Sequence, residues 1–167
     1  GKWGETLSVY ARGEDDAPVR GENDRETLKS VGNSITHYED ITDRGEIKRL
    51  LYVLSESVAA RMRDAGLGKA DTVHLWLRDC DMGNHTCQKK VRPTALCGDI
   101  AEAAYALFCE KYRAGKPVRG LGVTASGFDL GVEQLTFEAL TGDYDKRARA
   151  EEAVAKIREK HGYSKLQ

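Results

Sequence analysis

Two runs of strict alternation stand back to back in the middle of the chain, and together they leave few folds open. Val73, Leu75 and Leu77 alternate with Thr72, His74, Trp76 and Arg78, the period of a strand with one apolar face. Asp81-Met82-Gly83-Asn84 turns the chain. The run that follows sends Thr86, Gln88, Lys90 and Arg92 to one side and Cys87, Lys89 and Val91 to the other, with no acid between Asn84 and Arg92. One side of this third strand is all donors and positive charge.

Helical stripes flank the pair. Asp43-Arg44-Gly45-Glu46 has capping-box spacing, and Ile47, Leu50, Leu51, Leu54, Val58 and Met62 recur on one helix face up to a stop at Ala65-Gly66. A second helix is expected from Cys97 to about Ala114, with Ile100, Ala104, Leu107 and Phe108 inward and Gly115-Lys116-Pro117 closing it. A first strand over Thr27 to Tyr38 sets Leu28, Val31 and Ile35 against Ser30, Gly32, Ser34 and Thr36; a last one, Val118 to Ser126, sets Leu121, Val123 and Ala125 against Gly120, Gly122, Thr124 and Ser126. The element order is β-α-β-β-α-β. Right-handed crossovers put both helices on one side, so the expected fold class is α+β, a four-stranded antiparallel sheet with two helices on one face.

Both ends read as appendages. Trp3, Leu7, Tyr10 and Ala11 have helical spacing before a break at Gly13, and Gly21 to Arg25 reads as a linker. Beyond Gly127 comes a short apolar peptide, Gln134-Leu135-Thr136-Phe137, then a charged segment in which Ala148, Val154 and Ile157 hint at a marginal helix. An exposed Gln-Leu-x-Phe can dock extended, its apolar residues entering a partner's pocket; packing back onto the domain is the other reading.

On the uncovered sheet face, small residues, the glycines among them, let a phosphate backbone approach the main-chain N–H groups, hydroxyls and amides donate hydrogen bonds, and Lys90 and Arg92 supply charge, chemistry that suits a sugar-phosphate backbone. An ordinary solvated sheet face is the bland alternative. An RNA-binding sheet would need aromatics on its two central strands. The first and third strands have none on that face, and Trp76 is expected on an edge strand. A ligand-binding regulatory domain of ferredoxin-like topology is a further alternative, one that needs an apolar or acidic pocket.

Composition limits the rest. A net charge of −1 over 167 residues confines any nucleic-acid contact to a local patch. Cys80, Cys87, Cys97 and Cys109 match no zinc spacing and read as reduced thiols. Asp79, Asp81, Asp15, Asp16, Glu151 and Glu152 read as turn or solvated-helix acids rather than metal ligands, so no catalytic or metal site is expected. No apolar run or leader points to a membrane, and a cytoplasmic, nucleoid-associated location is the expectation.

Several segments, taken in order, resemble the C-terminal region of bacterial Y-family translesion DNA polymerases of the ImpB/MucB/SamB type. They are Gly13 to Arg20, Lys29-Ser30-Val31-Gly32-Asn33-Ser34, Asp40-Ile41-Thr42-Asp43-Arg44, Gln88-Lys89-Lys90-Val91-Arg92-Pro93-Thr94 and Val118-Arg119-Gly120-Leu121-Gly122-Val123. The resemblance implies a thumb remnant over 1–21, a little finger over 22–129, and a clamp-binding peptide with a tail over 130–167. It implies contacts to primer-template DNA from Lys29, Ser30, Gly32, Asn33, Ser34, Thr36, Thr86, Gln88, Lys89, Lys90, Arg92 and Arg119. It further implies sliding-clamp contacts from Gln134, Leu135, Thr136 and Phe137, and a role in DNA repair. No cofactor is expected in this fragment; the Mg²⁺ of nucleotidyl transfer would sit in a palm that is missing here. Cys87 stands where relatives commonly have arginine, and the peptide is one residue shorter than the common Gln-Leu-x-Leu-Phe form.

Overall fold

The structure, a computed structural model, describes residues 1–18, 28–112, 116–128 and 143–162. The linker expected at Gly21–Arg25, the helix-closing Gly115 and the peptide Gln134–Phe137 lie outside the described residues. The elements run α1 (Lys2–Ala11), β1 (Ser30–Ile41), α2 (Arg44–Asp64), β2 (Ala70–Asp79), β3 (Asn84–Thr94), α3 (Cys97–Lys111), β4 (Val118–Phe128) and α4 (Asp143–His161). The four strands form one antiparallel sheet in the order β1-β4-β2-β3.

That order corrects one expectation. β2 is central, not an edge, and the outer strands are β1 and β3. The reason lies in the burial each strand demands. Val73, Leu75 and Leu77 of β2 and Leu121, Val123 and Ala125 of β4 are all essentially buried, whereas β1 and β3 are exposed over most of their length. The two strands with the most apolar surface to hide take the middle, and the polar ones take the rims.

α2 begins where its sequence says it should. Asp43 accepts from the N–H groups of Gly45 at 3.0 Å and Glu46 at 3.1 Å, covering two donors that the first turn leaves without partners. The helix stops at Gly66, whose φ of +62° is the left-handed conformation that glycine supplies cheaply. Its stripe Ile47, Leu51, Leu54, Val58 and Met62 joins Ile100, Ala104, Leu107 and Phe108 of α3 against the apolar side of the sheet. Both helices therefore cover one face only.

α4 is more than a marginal helix, because α3 needs it. Leu96, at the start of α3, has no side chain that can cap. Glu151 of α4 does the job across space, accepting from Cys97 N–H at 3.0 Å and Gly98 N–H at 3.4 Å. The Tyr144 hydroxyl accepts from Ala95 N–H at 3.0 Å, and Arg147 pairs with Asp99 and Arg158 with Glu56. α1 leaves Trp3, Leu7 and Tyr10 exposed.

Candidate nucleic-acid interface

The register places every second residue of each strand on the uncovered face, in four rows across the sheet. They are Ser30-Ser126-Thr72-Lys90, Gly32-Thr124-His74-Gln88, Ser34-Gly122-Trp76-Thr86 and Thr36-Gly120-Arg78-Asn84. Ser30, Ser34 and Thr36 on β1 are exposed, as are Asn84, Thr86, Gln88, Lys90 and Arg92 on β3. Donors thus line the two outer strands, and the strip between them is partly filled.

The filling corrects a second expectation, that the glycines let a phosphate reach the main chain. A Cβ built on Gly120 would come within 2.9 Å of the Trp76 ring, and one on Gly122 within 3.2 Å of it. One on Gly32 would meet Thr124 Oγ1 at 2.3 Å. These positions are small because side chains of the neighbouring strands occupy the space above them. Gly120 and Gly122 are buried in consequence.

Not every expected contact residue shares the face. Lys89 points to the helix side, opposite Val73 across the β2–β3 ladder, and its ammonium lies 3.7 Å from Glu110 of α3. Asn33 also faces the helices, donating to Ser57 Oγ of α2 at 2.9 Å while its oxygen accepts from Ser34 N–H. Arg119 sits in a bulge of β4, where residues 37–40 of β1 have no partners in the ladder, and its Nε donates to Asp40 at 2.5 Å. That bond holds the guanidinium still more firmly protonated than usual and commits it to an internal acid. Lys29 is exposed just ahead of β1.

Parity explains why Lys89 and Asn33 lie away from the face although the resemblance counts them as contacts, since adjacent strand residues point oppositely and the alternation already sends Lys89 to the other side. The motif Gln88-Lys89-Lys90 therefore divides between the two sides of the sheet.

The cations of the face meet an acid at its rim. Lys90 Nζ donates to Asp71 Oδ2 at 2.9 Å and Thr72 Oγ donates to Asp71 Oδ1 at 2.6 Å; these bonds, the threonine's first, hold the Asp71 carboxyl below its usual range. His74 Nε2 and Ser126 Oγ are 2.7 Å apart. Arg78 Nε donates to Asn84 Oδ1 at 3.2 Å, and its Cζ lies over the Trp76 ring, 5.1 Å from the centroid. The alternation places Arg78 on this face without giving it a role.

At the end of β2, Asp79 is an internal anchor rather than a loop acid. It is buried, accepting from Gly83 N–H at 2.7 Å and His85 Nε2 at 3.2 Å, so it closes the β2–β3 turn. Asp81 pairs with Lys116 at 2.6 Å. Among the described residues no group of three or more His, Cys, Asp or Glu could hold a metal ion, no disulfide joins the cysteines, and no helix is long and apolar enough to cross a membrane.

A family model, the impB/mucB/samB family C-terminal domain, matches residues 28–137. The chain belongs to this family. The matched span of the impB/mucB/samB C-terminal domain contains the whole sheet with α2 and α3, and α4 begins after it. Among curated relatives, DNA polymerase IV of Acetivibrio thermocellus is 35% identical over 167 residues, covering 98% of this chain and 41% of that protein. DNA polymerase IV of Halorhodospira halophila is 39% identical over 138 residues, covering 81% and 38%. The chain spans about two-fifths of the length of these relatives. Two solved structures share the fold. One is a complex of the beta-clamp processivity factor with the little finger domain of PolIV (TM-score 0.51, 24% identity, 65% of this chain and 97% of that one). The other is DinB of Sulfolobus solfataricus (TM-score 0.54, 16% identity, 75% and 35%).

Proposed function

We propose that the chain is the DNA-binding little finger of a translesion DNA polymerase, laying its uncovered sheet face on primer-template DNA and recruiting a bacterial sliding clamp through Gln134, Leu135, Thr136 and Phe137. The observation that carries this reading is the arrangement of exposed donors along β1 and β3 with the strip between them filled. Three strand spacings separate those rims, about 14 Å. A major groove is about 12 Å wide. Hydroxyls and amides at such a separation can meet phosphate oxygens on both sides of a groove, while Lys90 and Arg92 supply charge.

Nucleotidyl transfer, with its Mg²⁺, belongs in this reading to the part of the relatives' length that the chain does not span. What this chain contributes is grip and position. Phosphate contacts fix register without reading sequence, which suits a polymerase that moves along its template.

Trp76 bears on the RNA alternative. Its central position meets the demand for an aromatic on an inner strand, but its ring rests on the β4 glycines with a guanidinium over it, which denies a base the open surface that stacking needs. Competition between single-stranded RNA and primer-template DNA for the 167-residue chain tests the proposal. DNA should displace RNA at equal phosphate concentration; preference for RNA would reverse the assignment.

A further inference from the structure

We infer that Arg78 is a phosphate-binding residue of this face and that Trp76 and Asn84 are its positioning residues. The inference rests on the DNA-binding reading above and adds a contact that the sequence motifs do not contain. Three observations carry it.

First, the side chain is fixed from two directions. Nε is held by Asn84 Oδ1 at 3.2 Å, and Cζ lies over the indole of Trp76 at 5.1 Å. An arginine stacked on an aromatic keeps its planar fork in one orientation and loses less freedom when it binds. Among the described residues nothing bonds the two Nη groups, so the fork remains available to a bidentate acceptor such as a phosphodiester.

Second, the sheet is built around this pair. Trp76 can lie flat only because Gly120 and Gly122 lack side chains; a Cβ on Gly120 would stand 2.9 Å from the ring and 3.4 Å from Arg78 Cβ. Two glycines on one central strand give up β-propensity, and what the fold obtains there is a seated indole with a guanidinium above it.

Third, two other cations near this surface are engaged by acids. Arg119 donates to Asp40 and Lys90 to Asp71. The partners of Arg78 are a neutral amide and a ring, so neither neutralises its charge. Its bond to Asn84 tilts it toward β3, where Asn84, Thr86 and Gln88 are exposed, and it continues that line of donors.

The test is duplex binding by the 167-residue chain as a function of salt, using a fluorescent primer-template of mixed sequence. Arg78→Ala should weaken binding about tenfold and reduce the slope of log affinity against log salt by about one, the loss of one neutralised phosphate. Arg78→Lys should keep the slope yet weaken binding severalfold, because an ammonium neither stacks nor forks. Trp76→Leu should also keep the slope and should lessen the effect of a second change at Arg78. The loss should be equal on unrelated duplex sequences.

Arg49→Ala, an exposed position on α2, is the control. Should Arg78→Ala behave like Arg49→Ala, or should the loss vary with base sequence, the phosphate role is overturned while the DNA reading stands. Failure of the unaltered chain to bind any duplex would remove both together.

Discussion

Lys90 Nζ lies 2.9 Å from Asp71 Oδ2, so an exposed cation of the sheet face carries its own counter-charge before any polyanion arrives. A phosphate approaching Lys90 must compete with that carboxylate. Asp71→Asn should release the lysine, tighten duplex binding several-fold and steepen the salt slope by up to about one. Equal affinity for the variant and the parent chain, measured by anisotropy at two salt concentrations, would show that Lys90 takes no part.

The seat of Trp76 gives a stability prediction. Gly120→Ala places a methyl 2.9 Å from the indole, an overpacking that costs about 1–3 kcal/mol. In a Trp76→Ala background the same change should cost much less, because the two sites share one space. Urea unfolding of the four proteins of this cycle measures the coupling; simple additivity would mean that the ring is not what the glycine accommodates.

Glu151 links the C-terminal helix to the domain. Glu151→Ala removes the cap of α3 and should cost about 1 kcal/mol, as loss of an N-cap does, with faster hydrogen exchange at the Cys97 and Gly98 amides. The same residue bears on thiol chemistry. Burial first and the Glu151 carboxylate second push the Cys97 thiol up to about 12, so at pH 8 it should alkylate far more slowly than the exposed Cys109. Glu151→Ala should speed Cys97 selectively. Unchanged amide exchange and alkylation would mean that α4 does not hold this position in solution.

Acid should act through Asp79. The His85 hydrogen bond, then that of the Gly83 N–H, holds its carboxyl below the ordinary value. Its contribution to stability is therefore complete above the unfolded-state value, near pH 4, and disappears as pH falls through the depressed folded value. Asp79→Asn should lower the melting temperature at pH 7, and the gap from the parent chain should narrow below about pH 4. A gap that widens in acid would mean the sign is wrong.

The architecture was legible in the sequence because periodicity records burial. The stripe of α2, the Asp43 cap and the alternation of Val73, Leu75 and Leu77 each carry their own physical signature, and the structure has all three. Strand order is another matter. β-α-β-β-α-β patterning is compatible with more than one antiparallel order, and only comparing how much of each strand must be hidden favours β2 and β4 for the centre. The face residues of β1 and β3 also followed from alternation, whereas Lys89, Asn33 and Arg119 came from family motifs that take no account of which side a residue faces. Arg78 was visible on the face, but its hold by the Trp76 ring two residues back on β2 and by Asn84 across the β2–β3 hairpin is a matter of side-chain geometry that alternation does not record. The trans cap by Glu151 is hidden likewise, being supplied from 54 residues away.

Clamp recruitment gives a separate test. Leu135→Ala with Phe137→Ala should abolish association with a bacterial sliding clamp in size-exclusion or pull-down experiments while leaving duplex binding unchanged. Survival of clamp binding would remove that peptide from the account.

The central claim is that one side of the sheet, and not net charge alone, meets the DNA. Neighbouring residues of β3 test it most directly: Gln88 is exposed on the uncovered face, and Lys89 faces the helices. The measurement is duplex affinity at a single salt concentration for Gln88→Glu and Lys89→Glu. A face contact predicts that Gln88→Glu loses about tenfold through repulsion at a phosphate, while Lys89→Glu, although it changes the net charge by twice as much, loses less than about threefold. The opposite ranking, or equal losses, would contradict the account.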